Sequence, residues 1–173
     1  MTAEELTSHV REVGGDAVRD THALLGDATV MVERDAAPAL LAALRDRPEL
    51  AFNMLLDVTA VDYLGQTPRF EVVYHLLSLT HGHRLRVKLR VPEDDDPWVH
   101  SLADMWKAAN WLEREAWDMY GIRFVGHPDL RRILMYEEFV GHPLRKDYPF
   151  NKRQPLTEER DPIEVLWKFD GHH

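Results

Sequence analysis

Arg84-Leu85-Arg86-Val87-Lys88-Leu89-Arg90-Val91 alternates a cation with an aliphatic residue from end to end. Successive side chains of an extended chain point to opposite faces, so this period of two predicts a strand with one face in a core and the other in water. The run before it, Arg69 to Leu79, has a similar character, and only Thr80-His81-Gly82-His83 separates the two. If those four residues form the hairpin loop, Val72 faces Val91, Tyr74 faces Leu89 and Leu76 faces Val87. Every apolar partner then shares one face of an antiparallel pair.

Working outward, Phe52 to Val61 reads as a further strand and Thr29-Val30-Met31-Val32 as another. Asp35 is placed to cap a helix whose apolar positions are Ala36, Leu40, Leu41 and Leu44, with Pro48 as its stop. Leu6, Val10 and Val13 have helical spacing, and Gly14-Gly15 ends that segment. On the C-terminal side, Asp96 fits an N-cap and Pro97 a first helical position, which predicts a short helix through Leu102. A stronger helix is expected from Asp104 to Tyr120, with Met105, Ala109, Leu112 and Ala116 in one row and Gly121 as its terminator. The fold class is therefore α+β: a mixed or antiparallel sheet with helices on one face, followed by an extended proline-rich C-terminal segment.

That organisation divides the chain into a globular domain over 1–122 and a segment over 123–173. The segment holds Pro128, Pro143, Pro149, Pro155 and Pro162, which work against long regular elements. It also carries Phe124, Tyr136, Phe139, Tyr148, Phe150, Trp167 and Phe169, whereas disordered tails are poor in aromatics. Such a segment is expected to lie along a surface, that of a partner in preference to its own domain.

Composition narrows the function. A chain of 173 residues, 45% hydrophobic and 29% charged, suits one soluble globular domain. No apolar run approaches the roughly 18 residues that cross a bilayer. Met1-Thr2-Ala3-Glu4-Glu5 is acidic where a secretory signal is basic, so the chain is expected to stay in the cytoplasm. The absence of cysteine removes disulfides, thiolate nucleophiles and cysteine-held zinc or iron–sulfur clusters, and any electrons must be carried by another chain. A net charge of -9 disfavours nucleic acid, although Arg123 to Arg153 is locally basic with seven Lys/Arg against four Asp/Glu. The cationic stripe at 84–90 lacks the interleaved aromatics of a single-strand platform.

Histidine is frequent, at His81, His83, His127, His142 and the terminal His172-His173 among others, but no helix spaces two of them at i and i+4 for a metal. Phosphate-cradling glycine loops and nucleophile turns are absent. Glu113/Glu115 and Glu137/Glu138 are paired acids, yet neighbours in one short stretch do not span a substrate cleft. The helix around Trp111 to Gly121 instead carries Glu113, Arg114, Glu115 and Asp118, more charge than a core helix needs. After it, Gly126-His127-Pro128 with Leu130-Arg131 returns fifteen residues later as Gly141-His142-Pro143-Leu144-Arg145. Each turn can aim an arginine at a carboxylate, of a partner or of the helix itself.

Glu113-Arg114-Glu115, Asp118-Met119-Tyr120-Gly121-Ile122, Gly126-His127-Pro128-Asp129-Leu130-Arg131-Arg132-Ile133-Leu134 and Gly141-His142-Pro143-Leu144-Arg145-Lys146-Asp147-Tyr148-Pro149 stand in this order and spacing. Together they resemble the signature of the 30 kDa subunit family, the C-subunit of proton-pumping NADH:quinone oxidoreductase (respiratory complex I). Trp106-x-x-Ala109-x-Trp111 is also similar, Tyr120 replaces a more usual phenylalanine, and the first ninety residues resemble the family only in their pattern of elements. The resemblance implies a cofactor-free, non-catalytic structural and coupling subunit in the cytoplasmic arm, peripheral on the inner membrane through the complex. FMN and the iron–sulfur clusters are then expected in partner subunits. The chain would pack against the large quinone-site subunit (the D-subunit), with its last segment over neighbouring cluster-bearing subunits. Interface or tail-fixing roles fall to Glu113, Arg114, Glu115, Asp118, His127, Arg131, Arg132, His142, Arg145 and Lys146. No catalytic, cofactor-binding or metal residue and no membrane insertion is expected. The alternatives are the equivalent subunit of a related membrane-bound hydrogenase or quinone-linked dehydrogenase and, in another class, an autonomous metalloenzyme using His127 and His142.

Overall fold

Helix α1 (Ala3–Gly14) opens the chain, followed by strands β1 (Val18–His22) and β2 (Thr29–Val32) and helix α2 (Ala37–Asp46). Strands β3 (Met54–Asp62), β4 (Phe70–Leu77) and β5 (Arg84–Val91) come next, then the short strand β6 (Trp98–His100), helix α3 (Ala109–Tyr120) and strand β7 (Arg123–Val125). The computed structural model describes residues 1–93, 96–152 and 154. Expectations that fall on Asp94, Asp95, Arg153 and 155–173, including Pro155, Pro162, Trp167, Phe169 and His172-His173, lie outside the described residues.

The alternation at 84–91 places β5 in the middle of a five-stranded sheet of order β1-β2-β5-β4-β3. The sheet is mixed, because β2 runs parallel to β5 while the other pairs are antiparallel. Leu85, Val87, Leu89 and Val91 are buried against Leu6 and Val10 of α1 and Leu40, Leu41 and Leu44 of α2, so the helices cover one face. On the other face the basic stripe is partly answered from within: Lys88 and Arg90 pair with the buried Glu71 at 2.9 and 3.3 Å.

The hairpin register differs from the expected one by two residues. Val72 faces Leu89, Tyr74 faces Val87 and Leu76 faces Leu85. Ser78 and His83 close the loop, the Ser78 amide donating to the His83 carbonyl at 3.0 Å, and Gly82 takes the left-handed φ of 71° that the last loop position demands. A shift of two leaves each side chain on its face, so the apolar pairing survives.

Three other expectations change. Residues 98–100 form a strand, not a helix, because Trp98-Val99-His100 pairs in parallel with Arg123-Phe124-Val125, a partner distant in sequence. Asp96 caps nothing there and instead receives the Arg123 guanidinium at 2.6 Å. Helix α3 starts at Ala109 rather than near Asp104, since the preceding residues turn on the Leu102 carbonyl and bury Trp106 in the core. Helix α2 begins after Ala36 with proline in its first turn, and Asp35 bonds Arg34. Strand β1 was not legible: Val18-Arg19-Asp20-Thr21-His22 is a bulged edge strand in which Val18 alone is buried.

Candidate functional site

Several of the residues singled out from sequence meet around α3, most densely at its C-terminal end. Gly121 stops the helix in the left-handed conformation, with φ 72° and its amide donating to the Trp117 carbonyl at 2.7 Å. A side chain there would also collide, since an added Cβ would lie 2.5 Å from the His142 ring and 2.7 Å from the Arg145 guanidinium. Glycine therefore does two things at once: it ends the helix and lets the returning chain close over it.

That chain, from Gly126 to Lys152, has almost no regular structure and is held by polar groups of α3. Asp118 is fully buried, and one of its oxygens accepts the successive backbone amides of Ile133, Leu134 and Met135 at 3.1, 2.9 and 2.8 Å. Its other oxygen accepts Arg132 at 2.5 Å. Three consecutive amides converging on one anion form a nest, here filled by the protein's own carboxylate. Burial by itself would raise the Asp118 pKa. The amides of Met135 and Leu134, the Arg132 guanidinium and the Ile133 amide outweigh it and hold the group below the usual carboxylate value.

Arg132 continues from Asp118 to the carbonyls of Phe139 and Gly141 at 2.8 and 3.0 Å, folding the loop onto itself. Arg114 reaches the carbonyls of Arg131 and Arg132, each at 3.1 Å. Arg145 donates to the Tyr120 carbonyl at 2.6 Å and lies 5.2 Å from the Phe70 ring. The two Gly-His-Pro turns do equivalent work at the two ends of α3: His127 bonds the Asn110 carbonyl at 2.9 Å and His142 the Asp118 carbonyl at 3.0 Å. Burial, the largest influence, keeps the His142 pKa below the usual imidazole value, so the ring is a neutral donor at pH 7. Both imidazoles thus serve as staples, and among the described residues no group of three His, Cys, Asp or Glu could hold a metal.

A second clasp, unanticipated from sequence, grips the end of the segment. Arg69 is 1% exposed and meets Asp62 side by side, with both contacts at 2.7 Å. The same guanidinium takes Asp147 at 2.8 Å and also Glu93. Asp62 in turn accepts the Lys146 backbone amide at 2.7 Å, so an ion cluster in the sheet margin pins residues 146–147. Asp147 lies inside the Arg145-to-Pro149 motif, but its partners are long-range. The usable signal was Arg69 beside Phe70 and Asp62 beside Val61, charges at the ends of facing apolar runs.

Glu113 differs from Asp118 in kind. It is fully buried, accepts Leu102 N–H at 2.7 Å and lies 2.6 Å from the Ser101 hydroxyl, tying α3 to the turn after β6. Desolvation dominates these bonds and lifts its pKa to about 7. The remaining expected residues are not drawn in: Glu115 is exposed, Arg131 bonds Asp129 on the surface, and the Lys146 side chain is exposed although its amide is held.

Outside this polar scaffold stand large apolar side chains. Trp111, Leu134, Val140, Leu144 and Phe150 are between 49% and 101% exposed, on α3 and on the segment it anchors. Fold and site together define a protein whose charged residues hold an irregular, apolar-studded surface in place, the arrangement of an assembly subunit.

Known proteins place the chain more narrowly. Residues 30–154 match the model of the respiratory-chain NADH dehydrogenase 30 kDa subunit, and the chain belongs to that family. It is 49% identical to the NADH-quinone oxidoreductase C-subunit of Thiobacillus denitrificans, covering 97% of this chain and 87% of that protein. The corresponding protein of Acidithiobacillus ferrooxidans is 51% identical over 95% of this chain and 84% of its own length. Among solved structures, the trypsin-resistant fragment of Nqo5 matches with a TM-score of 0.63 and 35% identity, covering 75% of this chain and all of that one. The archaeal membrane-bound sulfane sulfur reductase contains a chain matching with a TM-score of 0.71 and 25% identity, over 96% of this chain and 90% of that one. Membership makes this a non-catalytic, cofactor-free subunit of the enzyme's peripheral arm. Among the described residues no helix is long and apolar enough to cross a membrane.

Proposed function

We propose that the outward face of the anchored segment docks the large quinone-site subunit and extends toward neighbouring cluster-bearing subunits, holding the peripheral arm together on the cytoplasmic side of the inner membrane. The observation that carries this is the pairing of rigidity with exposure. Asp118, Arg132, Arg145 and Arg69 fix the backbone of 131–147, while Leu134, Val140 and Leu144 project from it into solvent and the exposed Phe150 follows three residues on. A surface held ready in this way loses less entropy when a partner covers it.

Substituting Val140→Ser and Phe150→Ser together tests the proposal in the intact complex. Both side chains are exposed, so the isolated chain should keep its melting temperature while its yield in gently solubilised membrane complex falls. Full recovery in the complex would refute the docking role. A second reading, the equivalent subunit of a related membrane-bound complex, is favoured by the sulfane sulfur reductase match. The large subunit that co-purifies decides between them.

A further inference from the structure

At the pole of the sheet away from Arg69 and Asp147, β3 and β5 begin and β4 ends. A groove of about 600 Å³ lies there between the start of α1, the turn before β2 and the β4–β5 hairpin. Its lining is electrostatically one-sided. Arg84 and Arg86 supply cations; His75, His81 and His83 supply imidazoles, with burial favouring the neutral form of His75 and His83; and Asp27, the one carboxylate among the described lining residues, is already paired with Arg86 at 3.3 Å. Arg84 is exposed and ion-paired to nothing among the described residues. The His81 and His83 rings stack 5.2 Å apart, and His81 is fixed to the Pro48 carbonyl at 2.7 Å, so this wall is set before anything binds.

The turn leading into the groove is strained to no internal purpose. Leu25 has φ 57° and ψ 23° and is fully exposed, and Leu24 beside it is 68% exposed. Leucine is disfavoured in left-handed backbone relative to glycine, and an exposed side chain recovers nothing within the fold. Leu56 on the groove wall and Leu79 on the hairpin tip are also exposed. Leu24 and Leu25 directly precede the lining residues Gly26 and Asp27, and Leu79 lies two residues before lining His81, so exposed apolar side chains flank this floor in the chain.

We infer that this pole is a second docking surface, taking an acidic, apolar-flanked polypeptide segment of another subunit. A carboxylate of that segment meets Arg84 and the histidines in the groove, and its apolar residues pack on Leu24 and Leu25. Charge complementarity selects the occupant, because Arg84 and the imidazoles line a concave groove that a polypeptide carboxylate enters more readily than a flat lipid surface does. The inference does not depend on the role of the C-terminal segment, whose residues 146–147 are pinned at the other pole.

The test uses the full chain assembled in membranes, with photoreactive benzoylphenylalanine in place of Leu79, compared in otherwise wild-type, Leu25→Gly and Arg84→Glu backgrounds. The expected result is a crosslink to a carboxylate-bearing segment of another subunit, lost in both variants. Leu25→Gly should meanwhile leave the isolated chain at least as thermostable as wild type, since it relieves the left-handed strain. Crosslinks to lipid alone, to this chain alone or to a segment without carboxylates would overturn the inference. So would no crosslink, one that persists in the variants, or a lowered melting temperature for Leu25→Gly. Retention in the complex reads the C-terminal surface separately, so the two proposals fail independently.

Discussion

Replacing Asp118 with asparagine isolates charge from shape at the point where the segment is anchored. The carboxylate is buried and answers four donors, three of them backbone amides and the fourth Arg132, which is itself only 13% exposed. Asparagine keeps one acceptor oxygen but turns an amide group toward either Arg132 or the nest, setting donor against donor. Hydrogen bonds to a charged group contribute about 1.5–3 kcal/mol each, and removing one partner of a buried pair costs about 3–5 kcal/mol. Arg132 retains the Phe139 and Gly141 carbonyls, which lowers the figure. The expected loss is roughly 2–4 kcal/mol, concentrated on the loop rather than on the sheet core. Amide hydrogen exchange at Ile133, Leu134 and Met135 should accelerate by roughly 30- to 700-fold, at about 1.4 kcal/mol per factor of ten, while β4 and β5 amides change far less. The dependence on pH has a definite sign: a depressed folded pKa contributes stability that is present above the unfolded carboxylate value near 4 and is lost as pH falls through the folded pKa. Wild-type protection of these amides should therefore collapse in acid, and the variant should lack that step. Exchange within threefold of wild type at neutral pH would refute the nest as the anchor.

Glu113→Gln should flatten the stability–pH profile between about 4.5 and 7, because the wild-type carboxyl binds its proton more tightly folded than unfolded and loses roughly 3 kcal/mol of stability as pH rises through that window. Melting temperatures from pH 5 to 8 check this, and a variant that retains the wild-type slope would assign the effect elsewhere. Gly121→Ala should cost about 2–4 kcal/mol, combining left-handed strain with displacement of His142 and Arg145, and denaturant titration measures it.

Much of the fold was legible because its signals are local. The two-residue period of 84–91 and the apolar rows of α1 and α2 point to their faces whatever else the chain does. Where reading failed, a remote partner had overridden a local preference. Residues 98–100 became a strand because 123–125 lay alongside, and the hairpin register moved because Gly82 held the loop's left-handed position. At the site, the sequence singled out the charged helix and both Gly-His-Pro turns but could not rank them. Glu113 and Asp118 are buried within two turns of the same helix as the exposed Glu115, a difference of facing that depends on what packs above each.

From sequence alone came most element types, the terminator at Gly121 and the ordered motifs between Glu113 and Pro149 that carry family membership, since each is a property of neighbours along the chain. Only tertiary structure decided which charges are buried and what answers them. Arg69 and Asp147 stand 78 residues apart and meet only once the sheet has formed and the segment has crossed α3. The same carboxyl chemistry is held ionised at Asp118 by converging donors and lifted toward neutrality at Glu113 by desolvation. Those environments are set by atoms arriving from elsewhere in the chain, and no window of sequence contains them.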